Sequence, residues 1–93
     1  MIKSFKDKEA EKIFHMQLSK RLPLEIQRAA LRKLWKIDTA HSLNDLHVPT
    51  ANRLKKLEGN RKGQYSIRIN DQYRICFEWV DSNAVGVEIV DYH

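Results

Sequence analysis

The stretch YSIRINDQYRICFEW, residues 65–79, decides the fold, because it contains two runs of alternating apolar and polar residues separated by a polar turn. Alternation with a period of two is typical of strands that are buried on one face. The pattern predicts strands over residues 65–69 and 73–80, with Asn70-Asp71-Gln72 as the loop between them. The stretch is therefore expected to form an antiparallel hairpin.

The alternation also fixes how the two strands pair. A slip of one residue would exchange the buried and exposed faces, so the apolar residues of both strands must lie on the same face. The predicted pairs are Ile69 with Tyr73, Arg68 with Arg74, Ile67 with Ile75 and Tyr65 with Phe77. Two arginines, Arg68 and Arg74, then face each other across the hairpin. Because they repel, an anion is expected beside them.

Two kinds of anion could compensate the charge of the arginine pair. One is a carboxylate of the chain itself, such as Asp91 or Glu88. The other is a phosphate of a bound nucleic acid, because guanidinium groups bind phosphate through two hydrogen bonds and stay charged during proton transfer. With a phosphate bound, Arg68 and Arg74 would be catalytic, since they would stabilise the charge that the phosphate gains in a transition state.

The sequence before the hairpin predicts two helices. Apolar residues at helical spacing predict a first helix over residues 7–18, and a second helix begins at Pro23. The apolar stripe of the second helix consists of Ile26, Ala30, Leu34 and Ile37, and it is widened by Leu31 and Trp35. Such a stripe is typical of a helix that packs on a core.

The remaining segments complete an α+β prediction. Residues 2–5 read as a short strand, residues 39–52 as a loop with one short turn, and residues 84–90 as a last strand. We therefore predict a single domain over residues 1–93. In it, two N-terminal helices pack on one face of a mainly antiparallel, twisted sheet.

The composition restricts the class of protein. A chain of 93 residues that is 42% hydrophobic forms one modest core and leaves no room for a second catalytic domain. The lone Cys76 cannot form an internal disulfide, and no apolar run approaches the roughly 20 residues that cross a bilayer. The first ten residues are too charged for a secretory signal. We expect a cytoplasmic protein with no membrane partner.

Positive charge is concentrated in the middle of the chain. Residues 53–74 have seven basic and two acidic residues and a net charge of +5, compared with +4 for residues 1–52 and −4 for residues 75–93. Part of this segment is predicted strand, so its charges have fixed positions, which suits binding to a nucleic-acid backbone. A solvated basic face is the alternative. The candidate RNA- or ribosome-binding residues are Arg53, Lys55, Lys56, Arg61 and Lys62.

The sequence ends on Asp91, Tyr92 and His93, and the neighbouring carboxylates favour protonation of the His93 imidazole. Cleavage of RNA without a metal requires an acceptor for the 2′-hydroxyl proton, a proton donor to the leaving 5′-oxygen, and cations around the phosphorane. His93 suits either proton role, and Tyr92 or Tyr65 offers a surface on which a base stacks. The alternative for His93 is a frayed residue without function.

The other histidines do not indicate a metal site. His15, His41 and His47 are scattered along the chain without the spacing of metal ligands and without a cluster of cysteines or carboxylates beside them. We interpret each as an ordinary surface or interface residue. No metal and no other cofactor is expected.

The run RLKKLEGNRKGQYSIRINDQYRICF, residues 53–77, resembles the HigB toxins of the RelE/ParE superfamily, including the GraT-like branch. The ending VEIVDYH, residues 87–93, is similar to the same family. So are the opening MIKSF, residues 1–5, and the stretch LNDL, residues 43–46. The resemblance thus covers nearly the whole chain.

This resemblance implies a RelE-like microbial ribonuclease fold and a toxin of a type II toxin-antitoxin system. The implied activity is ribosome-dependent cleavage of messenger RNA in the decoding site of the small subunit, which inhibits translation. The implied partner is a HigA-like antitoxin with a helix-turn-helix, through which alone the toxin would meet operator DNA. The catalytic residues that the resemblance carries to this chain are Arg74, Tyr92 and His93.

Two positions differ from the pattern of the family. Relatives can place a hairpin arginine nearer the position of Asn70, which adds Asn70 to the candidate RNA-binding residues. Some members carry a loop lysine where this chain has Glu58, which would shift the role of that cation to Lys55, Lys56 or Lys62.

Two other functions fit the same fold. One is a ParE-like poison of DNA gyrase that cuts no RNA, and the other is a nucleic-acid-binding module without catalysis. Neither would need an arginine pair together with a terminal histidine, so these residues favour the ribonuclease.

Overall fold

A computed structural model of the chain describes residues 1–92 and confirms the predicted α+β fold. Two α-helices are followed by a sheet of four antiparallel strands, which lie side by side in chain order. The elements are α1 (Lys8–Phe14), α2 (Leu24–Thr39), β1 (Lys55–Lys56), β2 (Gln64–Arg68), β3 (Tyr73–Val80) and β4 (Asn83–Asp91). No helix in the described part of the chain has both the length and the apolar character needed to span a bilayer.

The β2–β3 hairpin has the predicted register. Tyr65 pairs with Phe77, and Arg68 pairs with Arg74. The loop is closed by Asn70, whose side-chain oxygen accepts hydrogen bonds from the backbone N–H groups of residues 72 and 73 at 2.9 and 2.7 Å. This use of an asparagine oxygen in a tight turn holds the two strands in their register.

Strand β4 is the point where the beginning and the end of the described chain meet. Residues 2–5, predicted as a short strand, form only two isolated parallel bridges to β4, Ile2 with Ala84 and Phe5 with Val87. The β3–β4 ladder is interrupted opposite Phe77 by a bulge. Gly86, next to Val87, has a φ of +62°, which glycine adopts with little strain.

Helix α2 packs as predicted through its main apolar stripe. Its residues Ile26, Ala30, Leu34 and Ile37 are buried in the core together with the inward-facing residues of the hairpin. Leu31 packs at the edge of this core, but Trp35 is 45% exposed and does not widen the buried stripe as expected. Along α2, Trp35 lies on the side of the helix away from the sheet, because 100° per residue separates it widely from Ile26 and Ile37.

The first helix is shorter than the predicted span of residues 7–18. It begins at its cap, Asp7, whose side chain accepts a hydrogen bond from the backbone of residue 9, and it ends at Phe14. Met16 has a φ of +65°, which breaks the helical path, and Leu18 is 74% exposed. The turn is then fixed by the buried Gln27, whose side chain bonds the backbone of residues 19 and 22. Gln27 therefore directs the chain away from the continued helix.

Residues 39–52, predicted as a loop with one short turn, contain two short 3₁₀ helices, and the segment continues to β2 with further short elements. It forms three short 3₁₀ helices, Leu43–His47, Thr50–Asn52 and Gly59–Arg61, and the two-residue strand β1. Asn52 is fully buried, and its amide donates to the carbonyls of residues 46 and 48. Lys33 of α2 donates to the side-chain oxygen of Asn52. These bonds fix the segment that leads into β1.

Candidate active site

The sheet face opposite the helices carries the charged residues of the hairpin. Because side chains alternate along strands, Ser66, Arg68, Arg74, Cys76 and Glu88 lie on this face, which we call the arginine face. Ser66 and Cys76 at its centre are fully buried. Charged side chains thus surround a closed floor of small residues.

Arg74 is held in a fixed orientation on the arginine face. Its Nε donates to the hydroxyl of Ser66 at 2.8 Å, and its Nη2 donates to the backbone carbonyls of Arg53 at 2.6 Å and Ser66 at 3.4 Å. Arg53 adopts a left-handed conformation with a φ of +46° directly after a 3₁₀ helix, which turns its carbonyl toward this guanidinium. These acceptors are neutral, so the positive charge of Arg74 stays available for an anion.

Burial lowers the pKa of Arg74, and the nearby cations Arg68 and Arg53 act in the same direction. Burial makes the guanidinium charge less well solvated here than in free solution, and the two cations repel it. An anion placed beside Arg74 would relieve this cost. The site is therefore built to attract negative charge.

Tyr92 covers Arg74 from the end of β4. Its ring centroid lies 5.8 Å from the guanidinium carbon of Arg74 and 5.8 Å from the Nζ of Lys55 in β1. The backbone N–H of Tyr92 donates to the carbonyl of Gln72 at 2.6 Å, which fixes the residue against the hairpin loop. One aromatic ring and two cations are thus gathered from three separate strands.

Glu88 forms a second charged group on the arginine face. Its carboxylate accepts from Arg61 at 2.9 Å and lies 3.7 Å from Lys6, while Arg61 also donates to Gln64 at 3.0 Å. The hydrogen bond that Arg61 donates to Glu88 raises the pKa of Arg61 above its ordinary value. Arg61 is therefore fixed and charged at the border of the site.

The two carboxylates expected beside the arginine pair, Glu88 and Asp91, have other partners. Glu88 binds Arg61, and Asp91 accepts from the side chain of Gln72 at 3.0 Å. Arg68 instead forms an ion pair with Asp71 of its own hairpin loop. A local loop residue meets Arg68 because the turn brings its side chain back over the strand, while Arg74 is turned toward Ser66 and Arg53.

A small open cleft lies beside Tyr92 and has a volume of about 290 Å³. Its lining residues are Lys55, Lys56, Leu57, Glu58, Arg61 and Tyr92. Leu57 is buried and gives the cleft an apolar floor, whereas the other lining residues carry polar or charged groups. We call this space the Tyr92 cleft.

The structure brings together part of the predicted site. Arg74, Tyr92, Lys55 and the backbone of Arg53 are in contact, and Lys56 and Arg61 line the adjoining cleft. Arg68 lies next to Arg74 in the strand pairing but is directed to Asp71. His93, predicted as the proton-transfer residue, lies outside the described residues.

Three of the predicted RNA-binding residues lie away from Arg74. Tyr65 lies on the helix side of the sheet, where its ring stacks on Phe77 with 6.3 Å between centroids. The side-chain oxygen of Asn70 serves the hairpin turn, and Lys62 is exposed at the end of a 3₁₀ helix. None of the three is brought to Arg74 by the contacts of residues 1–92.

Sequence reasoning missed Ser66 and the carbonyl of Arg53 as the groups that orient Arg74. A signal for Ser66 was present, because a small polar residue two positions before Arg68, and diagonally across the hairpin from Arg74, leaves room for a guanidinium. The carbonyl of Arg53 had no signal in the sequence. Among residues 1–92, no three His, Cys, Asp or Glu side chains lie close enough together to hold a metal ion.

Comparison with known proteins identifies the family. Residues 3–93 match the family model of the HigB-like toxins, described as RelE-like toxins of the type II toxin-antitoxin system HigB. The chain is 45% identical to Toxin HigB-1 of Vibrio cholerae over 87 residues, which cover 92% of each chain. It is 31% identical to Endoribonuclease HigB of Proteus vulgaris over 93 residues, which cover all of both chains.

The fold is similar to a chain of the heterotetrameric YoeB-YefM toxin-antitoxin complex from Staphylococcus aureus. The TM-score is 0.61 at 21% sequence identity, over 100% of this chain and 98% of that chain. This likeness concerns the fold and agrees with the predicted RelE-like architecture. Together with the family match, the two relatives show that the chain belongs to the HigB-like toxins of type II toxin-antitoxin systems.

Proposed function

We propose that this toxin is an endoribonuclease that cleaves messenger RNA on the ribosome without a metal ion. The relative from Proteus vulgaris, which matches over the full length of both chains, is named an endoribonuclease. The observation that carries the proposal is the fixed guanidinium of Arg74, whose described hydrogen bonds all go to neutral oxygens beside the ring of Tyr92. Such a group suits a scissile phosphate.

In the proposed reaction, the 2′-oxygen of a nucleotide attacks the adjacent phosphorus. A bond forms between that oxygen and phosphorus, the bond from phosphorus to the 5′-oxygen breaks, and the products are a 2′,3′-cyclic phosphate and a free 5′-hydroxyl. Arg74 stabilises the additional negative charge of the phosphorane, because its orientation is fixed before the reaction begins. Lys55, which also lies against the ring of Tyr92, adds a second positive charge.

His93 has the proposed role of moving protons. It takes the proton of the 2′-hydroxyl or gives one to the departing 5′-oxygen, and either transfer lowers the barrier of the reaction. Tyr92 provides a surface on which a neighbouring base stacks. The residue is 37% exposed, which leaves part of its surface open to a ligand.

The ribosome is proposed to position the substrate. The Tyr92 cleft is small and open, so the protein alone gives an RNA strand little guidance. Holding the message in one geometry lowers the entropic cost of the reaction and can supply much of the rate enhancement. We therefore expect slow cleavage of free RNA and fast cleavage of a message on the ribosome.

Control of the toxin is assigned to a HigA-like antitoxin. The family is defined by toxin-antitoxin systems, which supports a protein partner of this class. The antitoxin is proposed to carry the helix-turn-helix that binds operator DNA, so the toxin meets that DNA only within the complex. In this proposal the free toxin acts in the cytoplasm.

Substitution of Arg74 tests the proposal. Arg74→Ala should reduce cleavage of a ribosome-bound message by about 10²–10³-fold, because it removes the charge that meets the phosphorane. Arg74→Lys should recover only part of the rate, since an ammonium cannot bind a phosphate through two hydrogen bonds. The rate is measured from the appearance of new 5′ ends in a purified translation system.

The control is the same assay with free RNA of identical sequence, in which wild-type toxin should be much slower. Equal rates on free and ribosome-bound RNA would refute the dependence on the ribosome. Growth arrest of cells whose transcripts stay whole would instead favour a gyrase poison. Unchanged cleavage by His93→Gln would remove His93 from the mechanism.

A further inference from the structure

Arg53 has a backbone conformation that residues with a Cβ rarely adopt. Its φ of +46° and ψ of 55° lie in the left-handed region, where the Cβ comes close to the following carbonyl oxygen. Such a conformation persists only where the surrounding structure imposes it. The carbonyl of the same residue accepts the hydrogen bond from the Nη2 of Arg74 at 2.6 Å. The contacts that impose the turn at Arg53 therefore also affect the orientation of Arg74.

Asn52, directly before Arg53, anchors this turn. It is fully buried, and its Nδ2 donates to the carbonyls of Leu46 at 3.2 Å and Val48 at 3.3 Å. Its Oδ1 accepts from the Nζ of Lys33. Both amide hydrogens and the side-chain oxygen thus have partners, and a buried amide that lost one of them would be left unsatisfied. These three bonds hold Asn52, and with it the start of the Arg53 turn, in one position.

Lys33 reaches Asn52 from α2, on the helix side of the sheet. Burial lowers the pKa of Lys33, and the neighbouring cations Arg32 and Arg68 act in the same direction. None of the ion pairs within residues 1–92 includes Lys33, so its ammonium group binds the neutral oxygen of Asn52 instead of a carboxylate. A hydrogen bond from a charged donor is stronger than one between neutral groups. Lys33 therefore holds Asn52 more firmly than a neutral donor would.

These bonds form one path from the helix side of the sheet to the arginine face. We infer that Lys33 and Asn52 are positioning residues of the ribonuclease reaction, which hold the carbonyl of Arg53 where it orients the guanidinium of Arg74. This inference rests on the proposed function and adds to it two residues that do not touch the substrate. Without the carbonyl, Arg74 would keep the bond from its Nε to Ser66, and the guanidinium could swing about that bond.

The first test does not depend on catalysis. The two Nη groups of an arginine give separate NMR signals when hydrogen bonds block rotation about the Cζ–Nε bond, and one averaged signal when rotation is free. Nitrogen-15 spectra should show separate Nη signals for Arg74 in the wild type. In Lys33→Met, which removes the donor to Asn52, these signals should merge. The spectrum of Arg74→Lys identifies which signals belong to Arg74.

The second test measures single-turnover cleavage of a ribosome-bound message. Lys33→Met should lower the rate at saturating toxin by about tenfold, with little change in the concentration that gives half the maximal rate. In the Arg74→Ala background the same substitution should change the rate by less than about twofold, because no guanidinium is left to orient. Lys33→Arg keeps a charged donor for Asn52 and should recover most of the rate.

The matched control is Lys36→Met, which removes one positive charge from the same helix. Lys36 is exposed in the last turn of α2, so its loss should leave both the maximal rate and the Arg74 signals as in the wild type. Asn52→Ala should have the same effect on Arg74 as Lys33→Met, together with a lower stability. Circular dichroism and the thermal midpoint verify that each variant is folded, and the Lys33 variants carry the test if Asn52→Ala does not fold.

Two results would overturn the inference. An equal loss of rate from Lys33→Met in the wild-type and Arg74→Ala backgrounds would show that Lys33 does not act through Arg74. Separate Nη signals that persist in Lys33→Met would show that the carbonyl of Arg53 keeps its place without this lysine. Failure of the ribonuclease proposal has a different appearance, because wild-type toxin would then produce no more new 5′ ends than Arg74→Ala, while the NMR signals would still report on the orientation of Arg74.

Discussion

Ser66 is a small residue that determines the orientation of the Arg74 side chain. Its hydroxyl is fully buried and accepts from the Nε of Arg74 at 2.8 Å, and its backbone carbonyl lies 3.4 Å from the Nη2. A residue without the hydroxyl would leave Nε without this acceptor. In the proposed mechanism Ser66 is therefore a positioning residue, which acts on the substrate only through Arg74.

Ser66→Ala is expected to cost about 1 kcal/mol of unfolding free energy, because one hydrogen bond of a half-buried charged group is lost. The cleavage rate should fall by about tenfold, with a larger change in kcat than in KM, since misorientation of Arg74 weakens its contact with the transition state. Urea unfolding and single-turnover cleavage measure the two effects. An equal loss of activity in the Arg74→Lys background would show that Ser66 acts independently of Arg74.

Cys76 lies next to Ser66 across the hairpin, and burial raises the pKa of its thiol. The folded chain then keeps the thiol proton at a pH at which the unfolded chain has lost it. Stability should therefore fall as the pH rises above about 8.5, the ordinary pKa of a thiol, and continue to fall up to the raised pKa. Cys76→Ala should remove this part of the dependence.

Urea unfolding of both proteins at neutral and alkaline pH gives the measurement. Tyrosines and lysines titrate in the same range in both proteins, so only the difference between their slopes reports on Cys76. Parallel pH dependences for wild type and Cys76→Ala would contradict the expected effect of burial.

Part of the site could be predicted from single residues, and part could not. Arg74 was identified because the alternation of the hairpin placed it opposite Arg68 on one face. Its real partners were missed, since a backbone carbonyl such as that of Arg53 has the same chemistry at every position in a sequence. Only the left-handed turn at Arg53 gives this carbonyl its role, and one residue in a polar loop carries no periodic signal.

At the scale of the element, the bulge in β4 accommodates the parallel contact with the N-terminal segment. The backbone N–H of Gly86 donates to the Ser4 hydroxyl at 2.9 Å, and the N–H of Val87 donates to the Ser4 carbonyl at 3.1 Å. Gly86 has a φ of +62°, and a methyl group added there would meet no atom within 4 Å. The demand for glycine thus comes from the backbone angle and not from crowding.

Gly86→Ala should destabilise the fold by about 1 kcal/mol, the cost of the left-handed conformation for a residue with a Cβ. Gly86→Asn should cost less, because asparagine adopts this conformation more readily. Urea unfolding gives both values. Equal losses for the two variants would show that the side chain, and not the backbone angle, causes the effect.

The elements also show where periodicity is informative. The two hairpin strands and α2 each present several buried residues in a regular pattern, so their existence and register were predicted correctly. Strand β1 has only two residues, both exposed, and such a short pairing leaves no pattern to detect. Helix α1 was predicted too long, because Leu18 continues its spacing although the helix has already ended at Phe14.

At the scale of the whole molecule, opposite charges are concentrated in two consecutive segments of the sequence. The basic segment 53–74 supplies the cations of the site, while the acidic segment 75–93 supplies Glu88, which holds Arg61 in place. The net charge of +5 favours approach to a polyanion in general, and the fixed cations select where it binds. Binding should therefore depend strongly on salt.

Removal of a lysine from the Tyr92 cleft should lower the salt dependence of binding by the amount expected for one phosphate contact. Lys55→Ala and Lys56→Ala should each reduce the slope of log affinity against log salt concentration by about 0.7, the value for one contact to a single-stranded phosphate. Affinity for a ribosome-message complex is measured at several salt concentrations. Lys8→Ala, an exposed lysine at the start of α1, should leave the slope unchanged. A slope that changes equally in all three variants would mean that only overall charge matters.

The bridges between residues 2–5 and β4 have a consequence for the time at which the toxin becomes active. Ile2 and Phe5 find their partners, Ala84 and Val87, only after more than 80 further residues have been translated. Tyr92 reaches Arg74 later still, at the far end of the same strand. Vectorial synthesis therefore delays assembly of this arrangement until almost all of the described chain has been made.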